Sequence, residues 1–169
     1  MKLVKKELAV KVWPLLQDFS LYTYLPQDPP TLESLEKQYV FWEPCLSPDK
    51  TEFWLNLVVF EKNTQEVVGT LQAGVHRESK VATIAYMIGT AFQKKGYGTE
   101  AVVTMIEHLK KHYQVSQIKA WIDTRNLPSI RLVEKIGMKQ VQFIENADHF
   151  KGSDSDEYVY QLDVVPNKI

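Results

Sequence analysis

Between Gln93 and Thr99 the chain reads Gln-Lys-Lys-Gly-Tyr-Gly-Thr, with two lysines and two glycines placed directly before a helical pattern. The first N–H groups of a helix lack internal partners and lie at the positive end of its dipole, so such a loop suits an anion, a phosphate above all. Gly96 and Gly98 let the anion approach the backbone, and Lys94 and Lys95 add positive charge. Val81, Thr83, Ile84, Ala85, Tyr86, Met87 and Ile88 form an apolar, partly β-branched run that reads as the strand entering this loop. Val102, Ile106, Leu109 and Tyr113 recur at helical spacing beyond it. A P-loop is excluded, because Thr99 follows Gly98 with no lysine between them. A dinucleotide fingerprint is a nearer rival: Gly96-Tyr-Gly98-Thr-Glu-Ala101 fits Gly-x-Gly-x-x-Ala, and Asp123 follows a second apolar strand. That fingerprint follows its strand almost at once and usually opens a domain, whereas here seven residues separate Ile88 from Gly96. An NAD-binding protein is the lesser alternative.

A second segment follows downstream, Asn126-Leu-Pro-Ser129-Ile-Arg-Leu-Val133-Glu-Lys135-Ile-Gly137-Met138. With Gln93-x-x-Gly96-x-Gly98 it resembles the paired motifs of the Gcn5-related N-acetyltransferases (GNAT superfamily), Gln/Arg-x-x-Gly-x-Gly/Ala followed by Asn-x-x-Ala/Ser and Glu-Lys-x-Gly-Phe. The likeness spans about residues 52–162 and is greatest to the ribosomal-protein-alanine acetyltransferase branch. It implies an α/β (α+β) fold, a mixed and mostly antiparallel sheet of about seven strands flanked by about four helices. It implies acetyl-coenzyme A as co-substrate, no metal, and acetyl transfer to a primary amine of a small molecule or of a peptide or protein N-terminus, by direct attack in a ternary complex. The pyrophosphate would rest on Gln93, Lys94, Lys95, Gly96, Tyr97, Gly98 and Thr99. Backbone groups of Tyr86, Met87 and Ile88, on a strand splayed from its parallel neighbour, would pair with the pantetheine arm and polarise the thioester, with Gly89 marking the bulge that opens the splay. Asn126 and Ser129 would contact the cofactor, and Ser129 would donate to the pantetheine or the thiolate. The chain departs from many relatives at Val133, where they carry a tyrosine as general acid. The alternative in a different class is therefore a non-catalytic acyl-coenzyme A sensor.

An alkyl amine with a pKa near 10 is protonated at neutral pH, so a base must take its proton. Asp123 and Glu145 are the first candidates, as residues that end neighbouring strands; Glu78, His149 and Tyr86 follow. Each also reads as an ordinary surface group. The acids between Glu145 and Glu157 would suit a cationic acceptor. Tyr22, Tyr24, Tyr39, Phe41 and Trp42 read mainly as core, with part of the group available to an acceptor pocket. His108 and His112 stand at helical spacing but without a zinc helix's glutamate, and Cys45 has no histidine motif to make it a nucleophile.

The elements that must position these residues follow from periodicity. Leu3–Val12 reads as a first strand, 15–25 as a short helix or helical turn, and a second helix runs from an N-cap at Thr31 to about Phe41. Strands are expected at 53–60, 67–75 and 81–88, with Gly69 and Gly74 as bends or bulges. The helix at 98–113 then crosses to a parallel strand at 117–122. Asn126 caps the next helix and Gly137-Met138 stops it, before strands at 139–144 and 157–162 joined by a twelve-residue loop, Glu145–Asp156.

The 169 residues suit one domain, 1–169, with its cofactor-binding core at about 81–138. At 44% hydrophobic, 24% charged and a net charge of −1, the composition carries no bias toward nucleic acid or membrane. One cysteine rules out an internal disulfide, and no run approaches the length of a membrane span or signal peptide core. A cytoplasmic location and a possible homodimer complete the expectations.

Overall fold

A computed structural model describes residues 1–165; the last four residues of the expected domain lie outside the described part. Seven strands form one sheet: β1 (Lys2–Leu3), β2 (Glu52–Phe60), β3 (Val67–His76), β4 (Val81–Ile88), β5 (Gln117–Asp123), β6 (Lys139–Phe150) and β7 (Ser153–Asp163). Their order is β1-β2-β3-β4-β5-β7-β6, and only β4 and β5 run parallel. Four α-helices flank it: α1 (Ala9–Val12), α2 (Leu32–Trp42), α3 (Tyr97–Tyr113) and α4 (Leu127–Lys135). This is the architecture that the resemblance implies.

Each face of the sheet carries its own core. Ala82 and Ile84 of β4 and Ile118, Ala120 and Ile122 of β5 point toward α3 and α4, meeting Val102, Met105, Leu109 and Val133. The opposite face packs Val58 and Met87 against Ala9, Val12, Leu35 and Tyr39 of α1 and α2. Because strand side chains alternate, Thr83, Ala85, Trp121 and Asp123 share this second face. Thr31 caps α2 through its side chain, and α4 ends in a Schellman motif: Gly137 (φ 91°) donates to the Glu134 carbonyl and Met138 to that of Val133.

Three sequence expectations need correction. Only Lys2–Leu3 is strand at the N-terminus; Lys6–Leu8 forms a 3₁₀ turn and Ala9–Val12 helix, because Ala9 and Val12, three apart, are the positions buried against α2. The twelve-residue loop at 145–156 is instead the end of a long β6–β7 hairpin, closed by Lys151 (φ 52°) and Gly152 (φ 77°), the paired positive φ of a type I′ turn. Gly74 marks no bulge; the ladder irregularity of β2 and β3 lies beside Gly69.

Candidate functional site

β4 and β5 pair only over Val81–Thr83 and Gln117–Lys119, whereas β4 stays paired with β3 as far as Ile88. The two parallel strands therefore diverge after Thr83, well before Gly89. Gly89 is not the origin of the splay; its N–H donates to the Val68 carbonyl, and a Cβ there would lie 2.8 Å from a Leu15 methyl. That hydrogen bond also fixes which way β4 faces. By the alternation of the ladder, Thr83, Ala85 and Met87 direct their peptide groups at β3, and Tyr86 and Ile88 direct theirs into the splay. Met87 thus leaves the open edge: a Cβ on Gly69 would collide with its carbonyl oxygen, and its side chain packs with α1 and α2. The Tyr86 N–H and carbonyl and the Ile88 N–H remain on the edge, while the Ile88 carbonyl accepts from Gln93 Nε2 at 2.9 Å.

Gln93 therefore ties the loop to the strand end. Lys94 (φ 60°) and Gly96 (φ 89°) turn the chain into α3, which starts at Tyr97, one residue before the expected position. Nothing lies within 4 Å of a Cβ built on Gly96, so open space faces the first turn of α3. At Gly98, by contrast, a Cβ would meet Leu132 Cδ1 at 3.0 Å and Ile88 Cγ1 at 3.3 Å. Gly96 supplies conformation and room for an anion; Gly98 lets α3 seat closely on β4 and α4. Lys94 and Lys95 are exposed at the loop's rim.

Across the splay stands α4. Asn126 Oδ1 accepts from the Ser129 N–H at 3.3 Å, and Tyr86 donates its hydroxyl to the Ser129 carbonyl at 3.1 Å. Burial pushes the Tyr86 phenol up to about 12, so it stays protonated. The Ser129 hydroxyl has no hydrogen-bond partner among the described residues. Val133, on the inner face of α4, is fully buried in the core.

The proposed bases fall in different surroundings. Asp123, 5% exposed, ends β5 and binds Arg125 through both carboxylate oxygens, at 2.9 and 2.6 Å, while accepting from Ser155 Oγ at 2.7 Å. Burial raises its pKa, but the hydrogen bonds from Arg125 and Ser155 and the guanidinium charge outweigh it and hold the carboxyl below its ordinary value. Glu145 ends no strand: it lies exposed inside β6, the outermost strand. Glu78 lies in the turn before β4, and His149 is exposed and paired with Asp154 at 2.6 Å near the hairpin tip. The group that sequence reasoning missed is Glu157. It stands opposite Asp123 in the β5–β7 ladder, on the face away from α3 and α4. Burial, then the charges of Asp148 and Asp123, push its pKa up.

Replacing Asp123 with Ala should lower stability by about 2 kcal/mol, because the Ser155 hydroxyl, 1% exposed, and the Arg125 N–H lose their acceptor. The sign with pH follows from the depressed pKa. The stabilisation is present above the unfolded carboxylate value near 4 and is lost as pH falls through the lower folded value. Denaturant unfolding between pH 7 and pH 3 should therefore show a steeper acid loss for the wild type than for Asp123→Asn.

On the same face a cleft runs between the sheet and α2. It consists of two connected cavities of about 420 and 710 Å³ that share Trp42, Asn56, Gln72 and Ala85. The larger reaches Tyr86 and Met87 at the splay; Tyr22 and Tyr39 line it, as the sequence suggested for part of the aromatic group. Lys151 at the hairpin tip donates to the Tyr22 carbonyl at 2.6 Å, joining β6–β7 to the segment beside the cleft. The site thus offers an anion loop, an open strand edge, proton donors on α4 and β4, and a separate cleft meeting that edge at Ala85 and Tyr86.

A family model described as Acetyltransferase (GNAT) domain matches residues 4–139. The uncharacterized N-acetyltransferase p20 of Bacillus licheniformis is 28% identical over 105 residues, 62% of this chain and 59% of that protein. The uncharacterized N-acetyltransferase YnaD of Bacillus subtilis is 30% identical over 79 residues, 47% of this chain and 46% of that protein. The matched stretches thus span about half the length of these relatives. Among solved structures, RimL, a ribosomal L7/L12 α-N-protein acetyltransferase in complex with coenzyme A, superposes with a TM-score of 0.85 at 14% identity, covering 98% of this chain and 94% of that one. Spermidine N-acetyltransferase from Vibrio cholerae, in complex with coenzyme A and spermine, gives a TM-score of 0.81 at 14% identity over 95% and 92% of the two chains. At such identities these structures speak for the fold alone. Among the described residues no helix is long and apolar enough to cross a membrane.

Proposed function

Because the chain belongs to the acetyltransferase (GNAT) family, we propose that it transfers the acetyl group of acetyl-coenzyme A directly to a primary amine held in the cleft. The observation that carries this reading is the divergence of β4 from β5 after Thr83, directly upstream of a glycine loop at a helix N-terminus. Residues and ligand fit. The Gly96 turn and first N–H groups of α3 suit a pyrophosphate, with Gln93, Lys94, Lys95, Tyr97, Gly98 and Thr99 forming the loop around it. The open peptide groups of Tyr86 and Ile88 suit the amides of a pantetheine arm, and Asn126 shapes the α4 terminus beside it.

The amine nitrogen attacks the thioester carbonyl, a C–N bond forms, and the C–S bond breaks to release the thiolate. A backbone N–H of β4 aimed at the developing oxyanion is worth on the order of 3 kcal/mol. The ammonium proton goes to Glu157, a half-buried carboxylate on the sheet face away from α3 and α4, whose pKa is raised by burial and then by the charges of Asp148 and Asp123. Asp123, committed to Arg125 and Ser155, holds the end of β5 in place of acting as base. The Ser129 hydroxyl, without a hydrogen-bond partner among the described residues, would donate a hydrogen bond to the departing thiolate, and coenzyme A takes up its proton from water.

Direct transfer predicts intersecting initial-rate lines when acetyl-coenzyme A and amine are varied together, with one free thiol released per amide formed. Parallel lines, the mark of an acetylated enzyme, would overturn it. Binding without turnover would favour an acyl-coenzyme A sensor.

A further inference from the structure

The cleft carries a second message, about the acceptor. Asn56 is 7% exposed, lines both cavities, and its side chain has no hydrogen-bond partner among the described residues. A nearly buried amide without a partner costs about 1–3 kcal/mol, so Asn56 is placed for a polar group that enters the cleft. Among the described residues, the only charged side chains lining the two cavities are Glu52 and Asp28, and no lysine, arginine or histidine lines either. Trp42 and Trp54 contribute indole walls, surfaces that attract an ammonium.

Glu52 is held in a defined place. Its Oε2 accepts from Trp54 Nε1 at 3.0 Å, and a Cβ built on Gly74 would lie 3.3 Å from the same oxygen. The carboxylate therefore lies over Gly74, whose cross-strand partners are Trp54 and Thr83. The next row toward the splay is Asn56, Gln72 and Ala85, where the cleft meets the reacting edge. Two residues along a strand separate the rows, about 7 Å. Six single bonds in an extended chain, the N-to-N path of 1,5-diaminopentane, span about the same length.

Resting on the acetyl-transfer reading above, we propose that the acceptor is a slender diamine: one amine reacts in the Asn56–Gln72–Ala85 row, within reach of the Asn56 amide, the alkyl chain runs from there between the indoles, and the second ammonium binds Glu52. Gly74 is glycine because a larger residue would displace that carboxylate.

The test compares 1,5-diaminopentane with pentylamine, and with an alanine-initiated tripeptide, by calorimetric titration into protein saturated with coenzyme A and by kcat/KM with acetyl-coenzyme A. The diamine should bind the coenzyme A complex at least tenfold more tightly than pentylamine. Glu52→Gln and Gly74→Val should each abolish that ratio while leaving coenzyme A affinity unchanged. Equal binding of diamine and monoamine, a ratio that survives Glu52→Gln, or a preference for the tripeptide would each overturn the proposal. Diamine binding without any acetyl product would sink the transfer reading and leave the ligand assignment standing, so the two failures are distinguishable.

Discussion

Replacement of Glu157 by Gln should lower kcat/KM for the amine at neutral pH by about 10²–10⁴, the usual contribution of a positioned base, without weakening coenzyme A binding. Glu157 is isosteric with its amide but loses the only function assigned to it, and the β5–β7 ladder that holds it is made by backbone. The pH profile separates this from a structural effect. Burial and the neighbouring carboxylates of Asp148 and Asp123 raise the Glu157 pKa, so the acid limb of the wild-type profile should fall above the ordinary glutamate value near 4.3, and should vanish in the variant. Stability moves the other way. A carboxylate whose folded pKa is raised contributes its stability below the unfolded value, and loses it as pH rises through the folded one. At neutral pH the charge on Glu157 is therefore a liability, and Glu157→Gln should unfold at the same temperature as the wild type or higher. A variant that loses both activity and stability would mean that Glu157 is a structural residue and that the proton leaves by another route.

The second large effect is expected at Gly96. Its φ of 89° lies where asparagine and aspartate are tolerated better than other side chains, and nothing lies within 4 Å of a Cβ there. Gly96→Asn and Gly96→Asp should therefore fold about equally well and differ in charge alone. Aspartate would set a carboxylate at the site read as a pyrophosphate cradle. A repulsion of several kcal/mol at contact distance in a partly screened site predicts that coenzyme A affinity falls by at least about 100-fold relative to Gly96→Asn. Calorimetry on the two variants measures it directly. Equal affinities would place the anion elsewhere.

Much of this site was legible because its parts are local. The helix start after Gly96, the cap at Asn126 and the stop at Gly137 each depend on a few consecutive residues, and the structure places all three within one residue of where spacing puts them. What depends on long-range pairing was not. The hairpin at 145–156 escaped because every residue of β6 but Ile144 and Phe150 is exposed, so no buried face imprints an alternation on its sequence. The N-terminal segment misled in the opposite way: Val4, Val10 and Val12 favour a strand, yet burial of Ala9 and Val12 against α2 decides for helix. Glu157 looked like one acid among many, since its raised pKa comes from Asp123 and Asp148 on neighbouring strands. The cleft needs the register of three strands to bring Asn56, Gln72 and Ala85 into one row. Met87 was placed on the open edge because strand direction is invisible in sequence, and only the Gly89–Val68 hydrogen bond settles the parity.

The most direct test of the whole account follows the acetyl group itself. Protein is incubated with acetyl-coenzyme A carrying an isotopically labelled acetyl group and with a primary amine, and intact protein and small molecules are weighed by mass spectrometry. Direct transfer predicts label on the amine nitrogen, free coenzyme A in equal amount, and an unlabelled protein throughout. Label retained on the protein, or intact acetyl-coenzyme A across a panel of monoamines, diamines and peptide N-termini, would contradict it.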